Sequence, residues 1–431
     1  MIKPLATQHQ GRVIVPVANS KAILARYTLP HPKYISAKRR GAYIPPDMPR
    51  KISFAEARPG SCVVVPLPCY RGKIGNPPQF ATYCFTARSF APLRPYQYQA
   101  ATGMLKSAYG ILQAPAGSGK TMVLLAMIHR RAVPALVIVP TIDIARQWRD
   151  RARAYWSELK TGIYGGGSKS EGEHTTVTTY QSADKIPSLD RYGLVCVDEC
   201  HRAPCESIAR TLGRCPARYR YGCTATPTRA DGLEKAFTWL LGGVKHVIDR
   251  EDIAENVLRV KVETVDTGLD FIAEDYGGLQ NLVAEHRARN KCIAHIVLDE
   301  RRAGRNTIVL CNRVVQAKAL ATATGGRVVT GVTPKKIREK TLSGIASGRG
   351  MVIVATYSLA AEGLDIPALE TLVMAAPVGN EKIVEQACGR IARPCDGKGT
   401  PRVIDLRDGG GMCRALARKR DAVYRRLGYY V

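Results

Sequence analysis

The sequence predicts an α/β protein: two consecutive parallel sheets covered by helices, preceded by a small β-rich or mixed N-terminal domain. Three observations carry this. From about residue 91, short apolar runs alternate with helix-like segments, the pattern of a helix-covered parallel sheet. From about residue 251 the same scheme begins again. Residues 1–90 differ from both, being rich in proline and aromatics and strongly basic. The expected domains are 1–90, 91–250 and 251–431.

The first 90 residues hold 14 Lys and Arg against 2 Asp and Glu, a net of +12. Residues 12–17 and 61–65 read as strands, so this is a folded module and not a tail. Tyr27, Tyr34, Tyr43 and Tyr70 stand among Lys33, Lys38, Arg39, Arg40 and Arg71. That interleaving suits stacking on bases with neutralisation of phosphates. A solvated basic face around a tyrosine-rich core is the alternative. In the second region, strands are expected at 109–112, 135–139, 175–178 and 194–197. In the third they are expected at 307–311, 326–330, 351–355, 371–375 and 402–406, with a basic helix at 412–427. The glycine runs 165–167 and 409–411 read as flexible loops.

The formal net charge is +28 over 431 residues. Such an excess repels itself unless a polyanion is near, and nucleic acid is the natural partner. An acidic membrane surface is the runner-up. No apolar run approaches the ~20 residues that span a bilayer, and the first ten residues lack the apolar stretch of a secretory leader. A soluble protein in the cytoplasm of a bacterial or phage-infected cell is expected. The 13 cysteines include no Cys-x-x-Cys pair and read as small reduced hydrophobes. Cys200, His201, Cys205 and Cys215 match no zinc-ligand spacing.

Two motifs carry chemistry. Residues 113–121 read Gln-Ala-Pro-Ala-Gly-Ser-Gly-Lys-Thr, between an apolar strand and a helical pattern. This is a phosphate loop: backbone N–H groups from Ala116, Gly117, Ser118 and Gly119 point at a phosphate, Lys120 reaches the β- and γ-phosphates, and the Thr121 hydroxyl ligates Mg²⁺. Residues 195–201 read Val-Cys-Val-Asp-Glu-Cys-His. There Asp198 holds the magnesium and Glu199 polarises the attacking water. Together they imply binding and hydrolysis of a nucleoside triphosphate.

Further segments narrow the class: Thr224-Ala225-Thr226-Pro227, then Ala360-Ala361-Glu362-Gly363-Leu364-Asp365, then Gln386-Ala387-Cys388-Gly389-Arg390-Ile391-Ala392-Arg393. This ordered set resembles superfamily 2 helicases of the DExH type over about residues 93–406. The resemblance implies two tandem RecA-like lobes. It also implies that Arg390 and Arg393, three apart on one helix face, supply the cations opposite a phosphate loop on the other lobe. Gln386 shares their face and senses the nucleotide, while Gly363 and Asp365 line the same cleft. Gln97, with Gln99 as its alternative, reads the adenine edge. Pro140, Thr141, Thr179 and Gln181 on the first lobe, and Asn312, Arg313 and Thr356 on the second, face the strand and bind phosphates without reading sequence. Trp148 and Tyr357 belong to the same motifs. His201, Thr224 and Thr226 couple ATP state to the strand face.

The details resemble the XPB-like branch, with the phage UvsW type and restriction-enzyme helicase subunits as relatives. The motif Arg229-Ala230-Asp231 carries Ala where that branch has Glu, which puts a duplex-separating role of the triplet in doubt. Residues 121–195 hold no cysteine, unlike the iron–sulfur relatives. The implied function is an ATP- and Mg²⁺-dependent helicase or translocase, on DNA in preference to RNA. An RNA helicase, a restriction-system motor and an ATP-switched nucleic-acid clamp stay open as alternatives.

Overall fold

The computed structural model describes the chain apart from residues 1–5, 11, 17–19, 40–41, 59–61, 70–73, 76–77, 85–91, 116, 226–232, 254–257, 335–336, 339, 342–343, 346–347, 358–365 and 430–431. It divides into two compact units, Met1–Asp252 and Ile253–Val431.

The first unit is built on an eight-stranded sheet. Its strands run in the order Ser168–Lys169, Thr161–Gly165, Thr175–Thr179, Ala135–Val139, Leu194–Val197, Tyr219–Thr224, Tyr109–Gln113 and Val244–Val247. All neighbours are parallel except the Ser168–Lys169 edge, which pairs antiparallel with Thr161–Gly165. Central strands covered on both faces read as unbroken apolar runs, and every residue of Ala135–Val139 and Leu194–Val197 is buried. Thr175–Thr179 is equally buried although four of its five residues are threonine. Hydrogen bonds accommodate two of these hydroxyls: Thr178 Oγ1 donates to Tyr164 O at 2.8 Å, and Thr176 Oγ1 accepts from Tyr192 Oη at 2.8 Å.

The glycine run 165–167 is a tight hairpin and not a flexible loop. Tyr164 pairs with Lys169, and Gly166 and Gly167 have φ of 58° and 87°, as a two-residue turn between twisted strands requires. A Cβ on Gly166 would lie 2.6 Å from Ile142 Cγ1, so the turn is pressed onto the Ile142–Tyr155 helix. The second run is a strand-to-helix junction: Gly409 ends the Arg402–Gly409 strand and Gly411 opens the Gly411–Arg426 helix.

The N-terminal segment is mixed, as its sequence suggests. Glu56–Arg58, Cys62–Pro66, Arg12–Pro16, Ala6–His9 and Ile74–Gly75 form a sheet, mostly antiparallel. Helices Ser20–Arg26 and Pro32–Arg39 accompany it. Its apolar side chains do not close on themselves. Val13, Tyr27, Phe54, Val63 and Val65 belong to one hydrophobic cluster with Leu136, Ile208, Phe237 and Leu240 of the larger sheet and its helices. Trp239 is the hinge pin, edge-on to Tyr27 at 5.3 Å and to Phe54 at 5.5 Å. Tyr27 is therefore core and not a stacking surface. Tyr43 is 81% exposed, Tyr34 lies 6.0 Å from the Arg50 guanidinium, and Tyr70, Arg71 and Arg40 lie outside the described residues. Cys200, Cys205 and Cys215 are buried in the same apolar cluster.

The second unit has a six-stranded, all-parallel sheet in the order Lys261–Asp270, Arg402–Gly409, Thr371–Met374, Thr307–Cys311, Val352–Thr356, Arg327–Val329. Two buried ion pairs lock helices to its Arg402–Gly409 strand. Arg289 grips Asp408 at 2.7 and 2.8 Å, and Arg420 grips Asp405 at 2.9 and 3.0 Å. No helix among the described residues is long and apolar enough to cross a membrane.

Trp239→Ala should detach the N-terminal segment first, because its ring packs between two sheets that share no backbone ladder among the described residues. A loss of about 2–3 kcal/mol is expected for an aromatic that is only half-buried. Limited proteolysis should cut within residues 1–84 before the sheet of the first unit. Simultaneous cleavage of both would contradict the account.

Candidate active site

In a parallel sheet every strand points the same way, so the loops after the strands share one edge, where α/β sheets bind ligands. In the first unit that edge collects the phosphate loop after Gln113, Pro140 and Thr141 after Val139, Asp198 and Glu199 after Val197, and Thr224 itself.

The loop enters helix Lys120–Arg131 through Gly119, whose φ of 75° suits glycine alone. No side chain caps that helix, so its first N–H groups are left for an anion. Ser118 Oγ pins the loop by donating to Pro115 O at 2.8 Å. Lys120 Nζ donates to Ala114 O at 3.2 Å and lies 3.5 Å from Glu199 Oε1. Burial pulls the lysine toward neutrality, but Glu199, Cys223 and Asp198 outweigh it, and its pKa is raised. It is held as a cation.

Asp198 accepts from Trp148 Nε1 at 3.1 Å, Cys223 Sγ at 3.0 Å and the Glu199 backbone N–H at 2.9 Å. Burial and then the Glu199 charge raise its pKa. Glu199 is half-buried, and desolvation would raise its pKa, but Lys120, His201 and Arg202 overcome that and hold it below the usual range. Glu199 has a left-handed backbone, φ 46° and ψ 46°, which costs a side-chain-bearing residue about 1 kcal/mol. The Tyr180 hydroxyl fastens that turn, reaching Asp198 O at 2.5 Å and Glu199 O at 3.0 Å. The Ser207 hydroxyl donates to Tyr180 O in turn. Glu199 Oε2 is buried without a hydrogen-bond partner among the described residues; His201 Nδ1 is 3.4 Å away. His201 Nδ1 also meets Thr224 Oγ1 at 2.6 Å, and Thr224 O accepts from Ala114 N at the base of the phosphate loop. His201 thus bridges the acid and the neighbouring strand.

Gln97 is buried against the loop. Its Oε1 accepts from Arg94 N and its Nε2 donates to Ser118 O, both at 3.1 Å, leaving one N–H and one lone pair of the amide. Thr121 is buried, with Arg151 Nη1 3.4 Å from its hydroxyl. Thr141 caps the Ile142–Tyr155 helix, Thr179 is buried with its hydroxyl on Ser182, Pro140 is half-buried and Gln181 is exposed. Trp148 and Tyr357, grouped by resemblance with strand-contact motifs, are both 2% exposed and cannot touch a strand. Ala116, Thr226, Gly363 and Asp365 lie outside the described residues, as does 229–232.

In the second unit, Gln386 and Arg390 are one helical turn apart on Glu381–Ile391, half-buried, opposite the face that buries Val384, Cys388 and Ile391. Arg393 is not on that face: the helix ends at Ile391, and Arg393 stands in the bend beyond it. Pro394 accounts for the stop, since a proline keeps the residue before it, Arg393, out of the helical conformation. Lys398 fixes the bend, donating to Arg393 O at 2.9 Å and Pro367 O at 2.8 Å, and burial lowers its pKa to about 8. Thr356 is 9% exposed at its strand end. Asn312 and Arg313 follow the Thr307–Cys311 strand, and both hydrogen-bond to the Tyr276–Glu285 helix.

Sequence comparison agrees with this edge. Residues 90–229 match the family model of the type III restriction enzyme res subunit, and residues 288–395 match the helicase conserved C-terminal domain. The chain is a superfamily 2 helicase. The helicase is 29% identical over 351 residues to the DNA 3'-5' translocase XPB2 of Sulfurisphaera tokodaii, covering 70% of this chain and 79% of that protein. It is 28% identical over 327 residues to the probable helicase D10 of Escherichia phage T5, covering 74% and 72%. Among solved structures, S. cerevisiae Dbp5 bound to RNA and ADP BeF3 shares the fold at a TM-score of 0.59 and 13% identity, covering 78% of this chain and 89% of that one. The type ISP restriction-modification enzyme LlaBIII does so at 0.58 and 16%, covering 79% and 30%. The helicase is an ATP-hydrolysing enzyme with two RecA-like sheets, and it binds nucleic acid.

Sequence reasoning missed Tyr180, Arg151, Cys223 and Lys398. Tyr180 sat in a recognised segment, but nothing in its neighbours says that its hydroxyl reaches the acids. Tyr180→Phe should lower stability by about 1–2 kcal/mol, from the buried Asp198 carbonyl losing its donor while Glu199 O keeps the Arg202 N–H, and should slow turnover more than it weakens ATP binding. Calorimetry with steady-state kinetics checks this; unchanged turnover would show that the turn is held without the latch.

Proposed function

We propose that this helicase moves along DNA, with Lys120, Asp198 and Glu199 performing the hydrolysis and Arg390 and Arg393 completing the phosphate's surroundings during the cycle. The observation that carries the chemistry is the buried Glu199 Oε2, which makes no hydrogen bond among the described residues, beside a lysine kept cationic. An ionised carboxylate with a spare lone pair orients a water for attack on the γ-phosphate. Gly117, Gly119 and the uncapped helix N-terminus suit the phosphates, and Gln97 retains the donor and acceptor that a base edge needs.

Thr121 and Asp198 suit a magnesium ion: a hydroxyl and a carboxylate, both hard oxygen donors, at the mouth of the phosphate loop. Such an ion neutralises charge that develops on the phosphate oxygens. Arg151, 3.4 Å from the Thr121 hydroxyl, stabilises the adjoining negative charge from the protein side. His201 and Thr224 carry the state of the acids to the strand-end loops. Pro140, Thr141, Gln181 and Thr179 line the edge that meets the strand, with Thr356 serving on the second unit. DNA is favoured over RNA by the XPB2 relationship and by the XPB-like segments of the chain. A restriction-system motor is the second reading, supported by the res-subunit match over residues 90–229. Affinity purification from the native host distinguishes it through a methyltransferase or specificity partner.

Lys120→Ala should abolish DNA-stimulated ATPase activity while leaving DNA binding largely intact; retained activity in a pure preparation would refute the assignment. Equal lengths of single-stranded DNA, duplex, forked DNA and RNA should stimulate the ATPase unequally, with RNA weakest. Given the +28 charge, affinity should fall by orders of magnitude between ~50 and ~200 mM salt. A flat titration would remove the basic surface from the mechanism.

A further inference from the structure

Resemblance casts Asn312 and Arg313 as strand contacts, but both are engaged by hydrogen bonds inside the second unit. Asn312 Nδ2 donates to Gln280 Oε1 at 2.7 Å and to the Tyr276 hydroxyl at 3.0 Å. Arg313 donates through Nε to Asn281 Oδ1 at 2.7 Å and through Nη2 to Gly277 O at 3.2 Å. All four partners lie on one helix, Tyr276–Glu285, whose start is capped by Asp275 accepting from Gly278 N. Tyr276 Oη in turn donates to Pro377 O at 3.2 Å, an oxygen that also accepts from Gln280 Nε2 at 2.7 Å. The tyrosine is thus anchored at its tip from two strand ends, those after Cys311 and Met374, yet it is 44% exposed. Its hydroxyl is engaged on both sides, so the surface it offers is the ring. Val314 and Val315, which follow Arg313 in the chain, are 41% and 56% exposed.

We infer that Tyr276 is a base-stacking platform for single-stranded nucleic acid, and that Asn312 and Arg313 are positioning residues that hold it. A ring fixed before binding loses little rotamer freedom when a base stacks on it, and every base has a π-face, so the contact tolerates any sequence, as a translocating motor requires. The occupant is a strand and not a protein because the platform is a single ring beside an arginine, at the carboxyl edge of a parallel sheet in a strongly basic chain. The inference rests on the reading that a strand crosses this edge.

The test uses the full-length chain and a thymidine oligomer. Tyr276→Ala should weaken binding about tenfold, within the range for a lost base–aromatic stack, with the slope of log Kd against log salt unchanged. Tyr276→Phe, which keeps the ring, should bind within about threefold of wild type. Arg313→Ala should weaken binding without reducing the salt slope, and should add nothing in a Tyr276→Ala background. A slope reduced by about one in Arg313→Ala would make that residue a phosphate ligand and overturn its positioning role. Photocrosslinking of the unmodified chain to an oligomer carrying 5-iodouracil needs no substitution. An adduct on the peptide holding Tyr276 is expected, and adducts only elsewhere would overturn the platform. Failure of the wild-type chain to bind the oligomer at all would instead overturn the strand-binding reading itself.

Discussion

The first unit is organised around one charge. The ammonium of Lys120 sits among carbonyl oxygens of its own loop and 3.5 Å from Glu199, away from bulk water. Burying a cation is unfavourable unless negative charge is close, and the two acids after Val197 supply it. That compensation constrains everything nearby: the left-handed turn at Glu199, the Tyr180 hydroxyl that fastens it, and the indole and thiol that direct Asp198. With this pairing removed, Lys120 and Glu199 would each lose the nearest opposing charge.

The sheets supply the geometry. Parallel order carries the phosphate loop, the acid pair and Thr224 to one edge without any of these segments being neighbours in sequence. Tyr219–Thr224 lies between the strand that leads to the acids and the strand that leads to the phosphate loop. Thr224 therefore touches both, through His201 and through the Ala114 N–H. A change at the phosphates has a two-bond route to the neighbouring strand end.

Much of this was legible in the sequence. Strands buried on both faces announce themselves as apolar runs, which is why Ala135–Val139, Leu194–Val197 and Thr307–Cys311 were placed to the residue. The phosphate loop and acid pair were legible because their chemistry demands particular residues at particular spacing. The ten-residue edge strand Lys261–Asp270 was not read, although its alternation is the pattern of a strand with one covered face, because it holds no unbroken apolar run. The Tyr180 latch and the engagement of Asn312 and Arg313 depend on contacts distant in sequence that no local pattern encodes, whereas the Arg393 bend follows from Pro394. Trp148 and Tyr357 misled for a related reason: an aromatic in a motif is equally suited to burial and to stacking.

The way Trp239 is clasped by Tyr27 and Phe54 has a mechanical corollary. An appendage tethered by a loose linker dissipates any load placed on it, whereas one that interdigitates with its neighbour transmits torque. A load on the basic front end is therefore passed through Trp239 to its helix and to the sheet that the helix covers, with no slack to take up.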